Sequence, residues 1–344
     1  MRSKKRKRTT PPKKKLLIGL CVVLSVILLA LLGLCGAIAV WDDLLGDRGR
    51  LEEQVSTYNE DDLDLIDPTD TLPIMDQVET ITAGKDIVNI LLVGQDRRNG
   101  EGRMHSDAII LCTINKKTKT LTMTSFMRDM YVYIPGYYNE RINVPYMVGG
   151  FPVLNDTLEY NFGVRADYNI EIDFNGFMDA IDLVGGIDIE LTQKEANYLN
   201  RRGNWGVESN QGWQLKEGVN HLTGSQALAY SRIREIGDDF ARTNRQRIVL
   251  NTLIEKAKTL KPMQLYDLIK GVTPMLTTDM KDSEILGLAV EMLPLLTDLK
   301  IVSQRIPADG EYYFANKNGA SVIGLTEDHF TANKKLLEEA MKTE

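Results

Sequence analysis

The chain has 344 residues, enough for one or two domains. Its net charge of −7 hides a segregation: residues 1–15 carry nine bases and no acid, leaving 32 Lys and Arg against 48 Asp and Glu in the rest, a net of −16. So acidic a body lacks the broad positive surface that nonspecific nucleic-acid binding needs, and 43% hydrophobic content excludes wholesale disorder.

Residues 16–40 hold no charge over 25 positions. At ~1.5 Å per residue a helix of that length exceeds the ~30 Å hydrocarbon core, so a transmembrane helix is expected. A cleaved signal peptide would carry a shorter apolar stretch, about 7–15 residues. The basic tail 1–15 precedes the run, and Trp41, Asp42 and Asp43 follow it. By the positive-inside rule this predicts a signal-anchor with a cytoplasmic N-terminus and residues 41–344 outside the cell membrane. Residues 41–85 are acidic, weakly patterned and broken at Asp67-Pro68 and Leu72-Pro73, which reads as an extracellular stalk.

Ordered structure is expected from residue 86. The run 87–93 is almost continuously apolar, a strand buried on both faces. Residues 107–115 and 120–126 read as a hairpin closed by Lys116-Lys117-Thr118-Lys119. Helices are expected at 151–162 and 174–184, the second stopped by Gly185-Gly186, and a strand at 187–191. Residues 192–221 read as a long polar connection containing Trp205 and Trp213. Further helices are expected at 223–231 and 242–260, a late strand at 300–306, and a closing helix at 327–341 with Phe330, Leu337 and Met341 on one stripe. Mixed elements over this length indicate one α/β domain spanning 86–344.

Only Cys112 lies in this domain, and the chain has three histidines in all, so an internal disulfide, a zinc motif and a multi-histidine metal site are all disfavoured. No P-loop and no Gly-x-Ser-x-Gly elbow is present. Asp96 follows the first strand and Asp107 opens the second. A loop joining two strands can bring both acids to one sheet edge, and two carboxylates with water suit Mg²⁺. Pairing Asn115 with Thr120 places Asp107 opposite Arg128. If the chain is extended after the 223–231 helix, Arg232 and Arg234 project to one side. On the next helix, the apolar stripe Val249, Leu253, Ala257 and Leu260 extends backward to Gln246 and Arg242, which should face inward. An inward arginine is costly unless an anion compensates it. Four arginines converging in an acidic domain point to a strongly anionic ligand, and guanidinium with Mg²⁺ is a recurring means of stabilising phosphoryl transfer.

These residues lie in stretches that resemble the LytR-CpsA-Psr family: Gln95-Asp96-Arg97-Arg98, Ser106-Asp107-Ala108, Ser125-Phe126-Met127-Arg128-Asp129, Arg141-Ile142-Asn143, Asp173-Phe174-Asn175-Gly176-Phe177, Tyr230-Ser231-Arg232-Ile233-Arg234 and Asp239-Phe240-Ala241-Arg242-Thr243-Asn244-Arg245-Gln246. They run in order between about residues 88 and 260. The resemblance implies an α/β/α sandwich with a central mixed sheet, and an apolar tunnel for a polyprenyl tail. On periodicity alone residues 144–151 and 174–184 read instead as packed core. It also implies an Mg²⁺-dependent envelope enzyme that moves an anionic glycopolymer (teichoic acid, capsule or similar) from undecaprenyl pyrophosphate to peptidoglycan through a phosphodiester. Asp96 and Asp107 match the family's magnesium acids. Arg128, Arg232, Arg234, Asp239, Arg242 and Gln246 match its pyrophosphate-site residues. Arg98, Arg103, His105, Arg141 and Arg245 are secondary candidates for substrate contact. Where the family often has arginine two places before the second acid, this chain has His105, with Arg103 two residues earlier. The sequence does not assign the general base, for which Asp107 is one candidate. Two other readings use the same residues: a polyprenyl-pyrophosphate hydrolase with water as acceptor, and a non-catalytic lipid-carrier-binding envelope regulator.

Overall fold

The structure is a computed structural model that describes residues 77–95, 102–201, 212–292, 294–317, 319–326 and 329–342. The tail 1–15, the run 16–40, Asp96 and Arg98 lie outside the described residues. Among those described, no helix is long and apolar enough to cross a membrane.

The elements follow in chain order: strands β1 (Ile87–Gln95), β2 (Ser106–Asn115), β3 (Thr120–Phe126), β4 (Tyr131–Tyr133) and β5 (Asn139–Arg141); helix α1 (Pro145–Phe162); β6 (Tyr168–Asp173); α2 (Phe174–Leu183); β7 (Ile187–Leu191); α3 (Gln193–Leu199); β8 (Gly218–Leu222); α4 (Gly224–Ser231); α5 (Asp239–Lys258); α6 (Pro262–Val272); β9 (Leu276–Thr278); α7 (Asp282–Met292); β10 (Lys300–Ile306); β11 (Tyr312–Lys317); β12 (Ala320–Leu325); and α8 (His329–Met341).

A six-stranded sheet runs in the order β10-β3-β2-β1-β6-β9. β1 pairs with β6 and β3 with β10 in parallel, whereas β1–β2, β2–β3 and β6–β9 are antiparallel, so the sheet is mixed. β1 is buried along nearly its whole length, as its almost continuous apolar run predicts. Its residues alternate between two cores. Leu91 and Val93 face α1 and α8, joining Leu154, Leu158, Phe162 and Leu337. Val88 and Ile90 face α5 and α7, with Leu250, Ile254 and Leu288 packed against that side. These layers make an α/β/α sandwich. A third core gathers α2, the antiparallel β7–β8 pair, α3 and α4 around Ile181, Leu199, Leu222 and Tyr230.

The β2–β3 hairpin has the expected register, with Asn115 opposite Thr120 and Ile109 opposite Phe126. α1 begins six residues earlier than expected, with Pro145 in its first turn. Gly150, at φ +66°, kinks it, and the stretch after the kink is the helix the sequence indicates. Part of the presumed connection 192–221 is folded: Thr192 caps α3 through a reciprocal bond with Glu195, and β8 pairs with β7. Short strands β4, β5, β6 and β9, helices α6 and α7, and the β11–β12 hairpin have weak sequence signals and emerge only in the structure. The last residues of the expected stalk lie on the domain, Val78 N–H donating to Tyr160 O (3.0 Å) and Ile81 N–H to Gly163 O (2.7 Å).

Candidate functional site

One end of the sheet collects the chemistry. The parallel strands β1 and β6 end there at Gln95 and Asp173, β3 and β10 end there at Phe126 and Ile306, and antiparallel β2 begins there at Ser106. Ligands of open α/β sheets characteristically bind beyond the carboxyl ends of such strands.

Just beyond the β2–β3 register, Arg128 Nη1 donates to Asp107 Oδ1 at 2.7 Å. Asp107 Oδ1 also lies 3.0 Å from Arg242 Nη2 and 3.7 Å from Arg234 Nη2. Asp239 Oδ1 stands 3.4 Å from Arg242 Nη1 and 3.5 Å from Arg128 Nε, and Asp129 Oδ2 is also 3.5 Å from Arg128 Nε. Arg242 is 1% exposed, so the inward stripe on α5 holds. Gln246, one turn on, donates to the Asp107 carbonyl at 3.4 Å. The helix starts three residues before the sequence indicates, because the Asp238 side chain accepts from Ala241 N–H at 2.9 Å and caps it. That extra turn sets Asp239 and Arg242 three residues apart on one face.

Arg232 and Arg234 do not lie on an extended segment. Arg232 is the helical cap of α4, its N–H donating to the carbonyls of Leu228 and Ala229, both at 3.2 Å. The alternation argument therefore fails, and a turn around the fully buried Ile233 separates the two side chains instead. Arg232 stacks over the Phe174 ring at 4.3 Å, and Arg234, 59% exposed, reaches toward Asp107.

The secondary candidates divide. Arg245 is 5% exposed and fully engaged: it donates to Glu195 Oε1 (2.7 Å) and to the carbonyls of Ile233 (3.2 Å) and Ile236 (2.7 Å). It holds the turn carrying Arg232 and Arg234, and the structure corrects its reading as a substrate contact. Arg103 packs its guanidinium where a side chain at Gly150 would sit. Arg141 leans on Glu140, with Nε 3.4 Å from Oε1. His105 is held neutral to lower pH than usual by burial and by the charge of Arg141. Asp129, Phe174 and Phe240 were not singled out by sequence; the dipeptide Arg128-Asp129 was the available signal for the first.

Burial works against ionisation of Asp107, yet Arg242, Arg128 and Arg234 hold its carboxyl below the ordinary range. Asp129 is pushed up by burial and by neighbouring Asp239. Arg234 is pushed down by burial and by Arg128 and Arg242, the mark of a positive potential. Arg128 Nε and Arg242 Nε are buried with no hydrogen-bond partner among the described residues. Buried donors are normally satisfied, so an anion at this point would stabilise them.

The cluster opens into a cleft of about 120 Å³. Its walls are mostly carbon, from Leu92, Ile110, Phe174, Phe177, Leu228 and Leu250. Along α5 the lining passes from Arg242 through Gln246 to Leu250, from charged to apolar. The 174–184 segment thus lines a slot as well as core; residues 144–151 do not line it. As for a metal, no three His, Cys, Asp or Glu side chains among the described residues are grouped to hold one. The nearest approach of each of the three guanidinium groups is to Asp107 Oδ1, and the carboxylate is a hard oxygen donor of the class Mg²⁺ takes. Mg²⁺ commonly relies on one or two carboxylates plus substrate phosphates, and the donor chemistry is compatible with it.

Comparison with known proteins places this geometry. The chain is 31% identical over 230 residues to the polyisoprenyl-teichoic acid–peptidoglycan teichoic acid transferase TagT of Bacillus subtilis (strain 168), covering 66% of this chain and 69% of that one. It is 32% identical over 238 residues to TagU of Bacillus mycoides, which carries the same transferase description, covering 68% and 73%. Its fold matches the LytR-CPS2A-psr family protein YwtF (TagT) with bound octaprenyl pyrophosphate lipid, with a TM-score of 0.58 and 26% identity over 78% of this chain and 98% of that one. Residues 54–339 match the model of the LytR_cpsA_psr family, and the chain belongs to that family.

Proposed function

We propose that this protein transfers a teichoic-acid-type glycopolymer from a polyprenyl-pyrophosphate carrier to peptidoglycan. The observation that carries the reading is a buried guanidinium cluster at the mouth of an apolar cleft, which suits a pyrophosphate head on a hydrocarbon tail. The names and bound lipid of the relatives support it.

The step balances as a displacement at phosphorus. The acceptor hydroxyl oxygen bonds to the phosphorus next to the glycopolymer, that phosphorus parts from the bridging oxygen, prenyl phosphate leaves, and one proton is released. Arg128, Arg234 and Arg242 neutralise charge on the transferred and leaving phosphates, where charge-assisted hydrogen bonds contribute ~1.5–3 kcal/mol each. Arg232, stacked on Phe174, sits where head meets tail. Asp239 orients Arg128 and Arg242. Of the acids, Asp107 is a weak base because the guanidinium groups stabilise its anion. Asp129, with its carboxyl pushed up, accepts a proton more readily and is the better candidate for the general base.

Mg²⁺ belongs to the proposal: the Asp107 and Asp96 carboxylates would hold it, and it would supply positive charge toward the pyrophosphate. So does the membrane: residues 16–40 would anchor the domain on the outer face of the cell membrane, beside its lipid-linked donor.

The test uses the full chain in detergent, a polyprenyl-pyrophosphate glycopolymer and a peptidoglycan oligomer. The expected result is a covalent product that forms only with the acceptor present. Donor consumption without product would overturn the transferase reading and favour hydrolysis.

A further inference from the structure

The β11–β12 hairpin is absent from the mechanism above, yet it is fastened to the site at two points. Ile323 N–H donates to the Asp129 carbonyl at 2.8 Å, which ties β12 to the residue next to Arg128. Tyr312 on β11 stacks on Phe240 with ring centroids 4.9 Å apart, and Phe240 lies between Asp239 and Arg242 in the chain. Phe314 meets Phe240 edge-on at 6.3 Å and Tyr312 at 5.8 Å, and is 65% exposed. Arg305 lies over the Phe240 ring at 4.5 Å. The result is a three-ring aromatic surface carrying Arg305, which is paired with Asp309, and it is anchored on the first turn of α5, the turn that also bears Asp239 and Arg242.

Its position relative to the cleft selects an occupant. The cleft is walled by Leu92 and Ile110, on the α5 and α7 face of the sheet. Phe240 and Tyr312 pack against the core on the opposite face. Asp107 and Arg242 line the cleft, and Phe240, two residues before Arg242 on α5, packs toward the other face. In phosphoryl transfer the attacking and leaving oxygens lie roughly in line. With the prenyl phosphate leaving toward the cleft, the attacking hydroxyl arrives from the aromatic side. Pyranose rings present C–H faces of partial positive charge, which stack on the negative faces of aromatic rings. Arg305 is paired with Asp309, so the positive charge suited to carboxylates on such a strand comes from neighbouring Arg247.

We infer that Phe240, Tyr312 and Phe314 form the subsite for the acceptor glycan strand of peptidoglycan, delivering its hydroxyl to the arginine cluster. The inference rests on the transferase reading for its orientation argument, but its test does not require turnover. Binding of a soluble peptidoglycan tetrasaccharide to the full chain in detergent is measured by saturation-transfer NMR and calorimetry, without donor. Phe314→Ala is expected to weaken it roughly three- to tenfold, with Phe314→Trp retaining it and octaprenyl pyrophosphate affinity unchanged. Where turnover is measured, the acceptor KM rises while the donor KM stays. Unchanged tetrasaccharide affinity overturns the inference, as does a loss confined to the donor glycopolymer. A Phe314→Ala shift from dimer to monomer would assign the patch to a second copy and overturn it too. A chain that binds the tetrasaccharide through Phe314 yet makes no product would sink the transferase reading alone.

Discussion

At the scale of single residues, Arg242 and Arg234 touch the same carboxylate but differ in what surrounds them. Arg242 is buried and bridges Asp107 and Asp239, so its removal strands two acids in a poorly solvated site. Arg242→Ala should cost about 3 kcal/mol in urea unfolding as well as activity. Arg234 is more than half exposed and its ion pair is long, so Arg234→Ala should change stability by less than about 1 kcal/mol. Its transfer rate should nonetheless fall about 10²-fold or more, because the charge it supplies is directed at the transition state. Equal stability losses in the two variants would show that burial does not separate their roles. The inward face of Arg242 was legible from the stripe on its helix. The exposure of Arg234 was not, because it depends on a turn whose shape is fixed by Arg245 on another element.

At the scale of elements, the turn between α4 and α5 depends on that clamp. Arg245 links α5 to Glu195 on α3 and to two carbonyls of the turn. Gly224 lets α4 start against the backbone of α2, where a Cβ would collide with the Met178 carbonyl. Together they bring Arg232 over Phe174. Arg245→Ala should therefore lower transfer and stability together, although its guanidinium is engaged by Glu195 and the turn and does not line the cleft. Burial raises the Glu195 carboxyl, but the Arg245 bond and two bonds from Thr192 outweigh it and hold it below the ordinary range. A carboxylate with a depressed folded pKa adds stability above the unfolded value, about 4.3, and loses it as pH falls through the lower folded value. Thermal melts of wild type and Glu195→Gln should differ most near pH 6 and converge only as pH falls below the depressed folded value. A constant gap across that window would mean the ion pair contributes nothing.

At the scale of the molecule, sheet and helices leave a slot open beside the charge cluster. Leu250 faces it one turn beyond Gln246 and is only partly buried. Leu250→Trp should fill part of the slot, with up to about 1–3 kcal/mol of strain if the fit is tight. Affinity for octaprenyl pyrophosphate should drop at least tenfold by calorimetry, while inorganic pyrophosphate binds as before. Loss of both ligands alike would show that the slot does not receive the tail.

What the sequence determined by itself is local. A nearly continuous apolar run made β1, a lysine-rich turn set the β2–β3 register and with it the Asp107–Arg128 pair, and helical periodicity turned Arg242 inward. Each depends on neighbours a few residues apart. Tertiary structure alone decided the rest. It set which face of the sheet the slot occupies, whether Arg245 serves the ligand or the turn, and that a C-terminal hairpin of short, weakly patterned strands abuts Asp129. Those outcomes depend on contacts between residues 50 to 200 positions apart, such as Arg245 with Glu195 and Ile323 with Asp129, and no local pattern encodes them.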